Sequence, residues 1–141
     1  MVPALPVLLA LQLAGEVPAW LPGASAQTLA SLAPKSVTTP VAMGIAERLG
    51  GLPSLTAALV AGTGIWEAVS ARWLFARLRI DDPVVRGFAL GVTAHGIGTA
   101  RAFQVNPQMG AFAGLAMGLA ALFNALVLPW VMGPLLDALA R

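Results

Sequence analysis

Two short polar stretches interrupt an otherwise apolar chain, and the side chains in them could hold a small anion. Residues 95–101 (HGIGTAR) combine the single histidine of the chain with two glycines and an arginine. Residues 34–40 (PKSVTTP) supply a lysine and three hydroxyl groups. Neither stretch contains an acid, so both offer positive charge and hydrogen-bond donors. The candidate substrate-binding residues are Lys35, Ser36, Thr38, Thr39, His95, Gly96, Gly98, Thr99 and Arg101.

The composition places these polar stretches in a membrane protein. Of the 141 residues, 58% are hydrophobic and only 10% are charged, whereas soluble domains carry about 25% charged residues. The apolar residues fall in blocks of roughly twenty, the length of a helix that spans the hydrocarbon core. Because a backbone in lipid must satisfy its own hydrogen bonds, such spans are helical. The predicted fold is all-α, a polytopic transmembrane helical bundle with two discontinuous (broken) helices.

The two polar stretches are predicted to be the breaks in those helices. Non-helical backbone at membrane depth persists only inside protein or beside a watery cavity, and transporters use such half-helix ends to bind anionic groups. Pro34 would end one half-helix, and Pro40 would start the next. Gly96 and Gly98 would let consecutive backbone N–H groups form an anion-binding concavity, with Thr99 capping the helix that follows.

The energetic cost of the cations leaves several arrangements open. A lysine or arginine at the bilayer centre costs roughly 2.5–3.5 kcal/mol on insertion scales, and no acid is near Lys35 or Arg101 in the sequence. Either Glu67 pairs with one of these cations, or the cations reach the interface, or an anionic ligand completes the site. Glu67 could itself reach the interface. His95 is either a buried histidine bonded to a carbonyl or a group that binds ligand or handles protons.

Two stretches are long and apolar enough to be complete spans, residues 52–71 and residues 109–128. The second carries Asn124, which is interpreted as a contact between helices. Residues 72–86 form the most charged part of the chain and contain four arginines. The positive-inside rule therefore predicts a cytoplasmic loop there.

The segment that follows this loop is too short to cross a membrane by itself. Residues 84–94 provide only half a span, so a second half-helix is expected after the break, ending at Asn106. Alternating crossings would then place Gly50 and Asn106 outside and the C-terminus inside.

The N-terminal residues are predicted to differ from the rest. Residues 1–24 contain several prolines and Glu16, so they are interpreted as an irregular apolar segment and the remnant of a span. A secretory signal peptide is disfavoured because no lysine or arginine precedes the apolar run. Residues 25–141 form the predicted transmembrane domain.

Residue content excludes several classes of function. Lysines and arginines are scattered along the chain, whereas nucleic-acid binding needs them on one face. The chain has no cysteine and one histidine, which excludes thiol chemistry and multi-histidine zinc sites. No serine has a neighbouring base and no carboxylate pair lies in a span, so an enzyme is not expected. No cofactor is predicted, and coupling to H⁺ or Na⁺ is left open.

Glycines repeat at four-residue spacing in two places. Gly110, Gly114 and Gly118 share one face of the last span, and Gly87 and Gly91 repeat the pattern before the histidine. Small residues at this spacing let helix backbones approach closely. The pattern indicates either packing within the chain or the seam of a homo-oligomer.

Both polar stretches resemble signature motifs of the LrgB/CidB family. The likeness extends from about residue 29 to residue 136, with several motifs in order. The similar stretches are residues 34–43 (PKSVTTPVAM), 50–57 (GGLPSLTA), 86–87 (RG), 94–102 (AHGIGTARA) and 113–118 (AGLAMG).

The resemblance implies a multi-pass protein of the bacterial inner membrane, with residues 25–141 as an LrgB-like domain. Bacterial members are paired with a small holin-like membrane protein and are described as antiholins or modulators of murein hydrolase activity. Plant chloroplast relatives exchange glycolate and glycerate, and bacterial relatives are linked to small carboxylates such as pyruvate. The resemblance therefore implies a monocarboxylate transporter or a non-transporting, antiholin-like regulator.

The implied partners are the lipid bilayer, a small carboxylate anion, and a second copy of the chain or a holin-like protein. Family members are longer, so the chain is expected to correspond to their C-terminal portion. Small apolar residues are usual in the family where Glu67 stands, so the resemblance implies no role for that residue.

Overall fold

A computed structural model describes residues 23–139 of the chain. These residues form six helices and no strand, which confirms the all-α prediction for this part of the chain. Residues 1–22, and with them Glu16 and most of the predicted N-terminal segment, lie outside the described residues. In chain order the helices are α1 (Ala26–Leu32), α2 (Thr39–Arg48), α3 (Pro53–Leu78), α4 (Pro83–Thr93), α5 (His95–Val105) and α6 (Pro107–Leu139).

Helix α3 is longer than the sequence pattern predicts. It continues through Arg72 and Arg77 and ends at Leu78, where Arg79 takes a left-handed conformation with φ 54°. The predicted charged loop is therefore reduced to residues 79–82. Charged side chains do not end a helix, because arginine is a good helix former.

Helix α6 also passes the end that the sequence predicts. Pro129 was expected to stop it, but the helix continues through Pro129 and Pro134. Proline removes one backbone hydrogen bond, and in membrane helices neighbouring groups compensate for that loss. A proline in an apolar helix is therefore a weaker stop signal than in a soluble one.

Helices α4 and α5 fold back on each other as a hairpin. Leu90 of α4 and Ala102 of α5 belong to one buried cluster, and a Cβ at Gly98 would lie 2.7 Å from the Leu90 carbonyl oxygen. The chain reverses at His95, whose φ of 40° is rare for a residue with a side chain. The second polar stretch is thus the tip of a hairpin.

Helices α1 and α2 form a second hairpin, which opens at the other end of α3. Ser31 of α1 lies beside the start of α3: its hydroxyl accepts the Leu52 N–H at 2.8 Å, and its carbonyl accepts the Thr56 hydroxyl at 2.9 Å. The tip of the hairpin reaches the middle of α3, where the Lys35 carbonyl lies 3.3 Å from the Thr63 hydroxyl oxygen. α2 then returns to the start of α3.

The described chain therefore repeats one unit, a hairpin followed by a long helix. The α1–α2 hairpin is followed by α3, and the α4–α5 hairpin is followed by α6. The two hairpins open at opposite ends of α3 and their tips meet near its middle. The second unit is thus inverted relative to the first.

The direction of α6 corrects the predicted topology. Gly91 of α4 packs against Ala113 near the start of α6, while Leu128 and later α6 residues pack on α1 and α2. Asn106, just before α6, therefore lies at the same end as residues 79–82. The expectation that Asn106 lies at the Gly50 end is wrong, because α4–α5 turns back instead of crossing.

The repeated glycines serve packing within the chain at most of their positions. A Cβ at Gly87 would overlap the backbone of Met109, and one at Gly110 would overlap the Phe103 ring. These glycines let α4, α5 and α6 approach closely. Gly118 differs, because nothing lies within 4 Å of a Cβ built there.

One helix in the described part of the chain is long and apolar enough to cross a membrane, at Pro107–Leu136. Large apolar side chains are exposed on the long helices, among them Trp66 at 73% and Trp130 at 83%. Extended exposed apolar surface indicates contact with lipid or another protein. That α3 also spans, and that the bundle is polytopic, stay predictions.

Candidate functional site

The tips of the two hairpins border one cavity of about 580 Å³. Lys35 and Ser36 line it from the α1–α2 tip, and Thr93 lines it from the α4–α5 tip. Glu67 of α3 and Asn124 of α6 complete its polar lining. The remaining wall is apolar, from side chains of α4 and α6. A concave apolar cavity with a few polar groups of fixed position is typical of small-molecule sites.

Lys35 and Glu67 bring opposite charges to this cavity. They line it together without forming a direct ion pair. Glu67 Oε2 is buried and accepts no hydrogen bond from a described residue. Of the arrangements left open by the sequence, the pairing of Glu67 with Lys35 is not formed as a direct ion pair, although both residues reach one cavity.

The rest of the first polar stretch starts helix α2. Ser36 lines the cavity. Thr38 is the N-cap of α2, although its side chain makes no capping hydrogen bond, and Thr39 is the first helical residue. Pro40 lies in the first turn, as its missing N–H allows. Thr38 and Thr39 are half-buried and do not line this cavity.

His95 is buried beside the cavity instead of lining it. The residue is 3% exposed, and a Cβ at Gly64 of α3 would lie 2.5 Å from its Cε1 atom. Its Nε2 atom is buried and has no hydrogen-bond partner among the described residues. A bond from Nε2 to a carbonyl, one of the two interpretations from the sequence, is therefore not formed within this part of the chain.

The glycines and threonine after His95 belong to helix α5, which corrects the predicted concavity. The Gly98 N–H donates to the Ala94 carbonyl at 2.8 Å, so it is not available to an anion. The Thr99 hydroxyl donates to the His95 carbonyl at 2.8 Å and does not cap the helix. Gly96 is exposed. The stretch is helical from His95 onwards because each backbone acceptor there finds a partner four residues on.

Arg101 lies away from Lys35, at the end of the molecule where the α4–α5 hairpin opens. It is exposed, and its Nη1 donates to Gln104 Oε1 at 3.1 Å. With Arg72 and Arg86 it lines a separate cavity of about 400 Å³. Arg86 is ion-paired with Asp81 at 2.8 Å. Arg101 also lines a cavity of about 730 Å³ together with Gly96, so the structure places Lys35 and Arg101 in different cavities.

Two polar groups of the cavity were not predicted from the sequence. Thr93 precedes the second polar stretch, and Asn124 was interpreted as a contact between helices. The Asn124 Nδ2 donates to the Ala120 carbonyl of its own helix at 2.8 Å, and the residue also lines the cavity. Thr93 and Asn124 approach Lys35 only in the folded chain, where the hairpin tips meet. No local sequence pattern therefore indicates that they line the cavity.

Comparison with known proteins identifies a family and several relatives. A family model described as the LrgB-like family matches residues 6–133. No solved structure is a significant match to the chain.

Curated relatives come from several bacteria. The uncharacterized protein YwbG of Bacillus subtilis is 38% identical over 102 residues, which cover 72% of this chain and 45% of YwbG. An uncharacterized protein of Haemophilus influenzae is 28% identical over 119 residues, 84% of this chain and 52% of that protein. The holin-like protein CidB of Staphylococcus epidermidis is 28% identical over 107 residues, 76% of this chain and 47% of CidB. The chain spans about half the length of these relatives.

The contact between α3 and the hairpin tip can be tested through the single histidine. In the Gly64→Ala variant the added methyl would meet the His95 ring, so we expect the imidazole to move. With selectively labelled histidine, NMR gives one side-chain signal, and we expect a clear change in its chemical shift. Gly62→Ala is the matched control, because nothing lies within 4 Å of a Cβ at Gly62. Equal shifts in the two variants would contradict the contact.

Proposed function

Because the chain belongs to the LrgB-like family, we propose that it is a membrane transporter, or the C-terminal part of one, for small monocarboxylates. The proposed substrates are glycolate, glycerate and pyruvate. Family membership and relatives named holin-like proteins support a membrane-associated function. We place the protein in the bacterial inner membrane, as a multi-pass helical bundle.

The observation that carries this proposal is the cavity between the hairpin tips. It contains a lysine and hydroxyl groups within an apolar wall, which suits a small anion with a short carbon skeleton. The Lys35 ammonium would bind the carboxylate, because hydrogen bonds between charged groups are the stronger ones. Ser36, Thr93 and Asn124 would bind the remaining oxygens.

The inverted hairpins would move the substrate by alternate displacement. Transporters with inverted repeats bind their substrates where the repeats meet, near the middle of the membrane. A small displacement of one hairpin would open the cavity to one side, and displacement of the other would open it to the opposite side. The arginines at the open end of α4–α5 would attract anions to that side.

Uptake of a labelled carboxylate into proteoliposomes tests the proposal. We expect Lys35→Ala to reduce glycolate or pyruvate uptake by about 10–100-fold at low substrate, since a hydrogen bond to a charged group contributes about 1.5–3 kcal/mol. Arg101→Ala should reduce it less, because Arg101 lies in another cavity. Arg48→Ala, an exposed cation on α2, is the control. Equal rates in Lys35→Ala and Arg48→Ala would contradict the site.

The proposed membrane arrangement predicts which residues share a side. The chain has no cysteine, so single cysteines can be introduced at exposed positions: Ser54→Cys, Arg77→Cys and Gln108→Cys. In sealed vesicles, an impermeant thiol reagent should label positions 77 and 108 from one side and position 54 from the other. A re-entrant α4–α5 hairpin requires this result. Labelling of positions 54 and 108 from the same side would instead indicate alternating crossings.

A non-transporting, antiholin-like regulator is the second candidate function. The names of the CidB relatives favour it, and α6 offers a surface for a membrane partner. Gly118 is exposed, and Leu115, on the same helix and outside the cavity lining, is 54% exposed.

This second candidate predicts that Gly118→Leu prevents co-purification of a small holin-like membrane protein. Nothing lies within 4 Å of a Cβ at Gly118, so the substitution should leave the fold intact and act on the surface. Gly62→Leu, at an equally open position on α3, is the control. Co-purification retained in Gly118→Leu would count against a partner on this face.

A further inference from the structure

Glu67 is a charged group in the cavity that substrate binding leaves without a role. Its Oε2 atom is buried and accepts no hydrogen bond from the described residues. An ionised carboxylate is costly at such a position unless it is paired or protonated. The cavity therefore holds an acid that is stable in two ways, with Lys35 as counter-charge or with a bound proton.

The charged and titratable groups around Glu67 come from three directions. The α1–α2 tip contributes Lys35 to the cavity, and α6 contributes Asn124, which carries no charge. The α4–α5 tip contributes His95, which lies against Gly64, one helical turn before Glu67 on the same face of α3. Arg101 of the same hairpin lies in another cavity. Lys35 is thus the cation that Glu67 and a substrate carboxylate would share.

We propose that Glu67 is the proton-binding group that couples anion movement to H⁺. This inference rests on the proposed transport function and names its coupling site. A proton from the side of entry binds the Glu67 carboxylate and cancels its charge. Lys35 then lacks a counter-charge and binds the carboxylate of the substrate. One H⁺ and one monocarboxylate cross together, with no net charge moved, and both leave on the far side.

The inference rests on the balance of charges in the cavity. With Glu67 ionised, a substrate anion would bring a second negative charge into a cavity with one lysine, and like charges at close range disfavour binding. With Glu67 protonated, Lys35 and the substrate balance each other. Binding of the proton and of the substrate therefore strengthen each other, and linkage makes this effect reciprocal.

Reconstituted protein, with any subunit that co-purifies, allows coupling and transport to be measured separately. Exchange of labelled for unlabelled pyruvate at equal pH reports transport alone. Accumulation driven by an inward proton gradient reports coupling, with a limit of about tenfold per pH unit for one proton per anion. We expect the accumulation ratio of Glu67→Gln to fall to 1 while labelled pyruvate still exchanges, at a rate lowered by the change in the cavity lining. Glu47→Gln, an exposed acid on α2, should behave as wild type in both assays.

The possible outcomes separate the two hypotheses. Wild-type protein that does not exchange substrate overturns the transport function, and the coupling inference falls with it. Wild-type protein that exchanges but does not accumulate, or a Glu67→Gln variant that still accumulates as wild type does, overturns the coupling inference alone. Loss of exchange in Glu67→Gln would also count against it, provided that Glu67→Asp restores neither exchange nor accumulation.

A spectroscopic measurement tests the same group without relying on transport rates. Infrared difference spectra on adding pyruvate should show a protonated carboxyl band that grows at constant pH, because substrate favours the protonated acid. The band should be absent in Glu67→Gln and unchanged in Glu47→Gln. A band that persists in Glu67→Gln would assign the proton to another group and overturn the inference.

Discussion

The fold depends on hydrogen-bond partners for the backbone groups at the two points where hairpins reverse in apolar surroundings. Threonines of α3 meet part of this requirement: the hydroxyl of Thr56 donates to the Ser31 carbonyl, and the Lys35 carbonyl lies 3.3 Å from the Thr63 hydroxyl oxygen. Buried carbonyls without partners are costly, so these two contacts hold the α1–α2 hairpin against the long helix. They also fix the depth at which Lys35 is presented, and the cavity forms at that level.

Local signals in the sequence predicted the elements near the hairpins better than their arrangement. Ser25 caps α1, and its hydroxyl accepts the Thr28 N–H as such a residue should. Pro40 starts α2, and Asn106 accepts two N–H groups at the start of α6. The reversal at His95 could not be predicted, because a positive φ outside glycine has no reliable signature. The direction of every later element depended on that reversal.

The sequence predicted the kinds of side chain in the candidate site, but only some of the residues that line it. Lys35 and Ser36 were expected in it and line the cavity, while Arg101 lies elsewhere because α5 carries it back towards the opening of its hairpin. Glu67 was considered as a partner of one cation, and the structure places it in the same cavity as Lys35. Sequence distance does not reveal this neighbour, because the two residues meet through the depth of the hairpin tip. Substrate binding by these residues stays a prediction.

The meeting of the two hairpin tips has an electrical consequence. If the protein crosses the membrane as proposed and water enters each hairpin opening, the dry layer left between the two sides is the thin region around the tips. The membrane voltage then falls mostly across that layer, where each elementary charge moved is worth about 2.3 kcal/mol per 100 mV. A shift of a few ångströms by Lys35 would sense much of the field, and its pairing with a carboxylate would cancel that sensitivity. The protein would thus be able to work at similar rates in strongly and weakly energised cells.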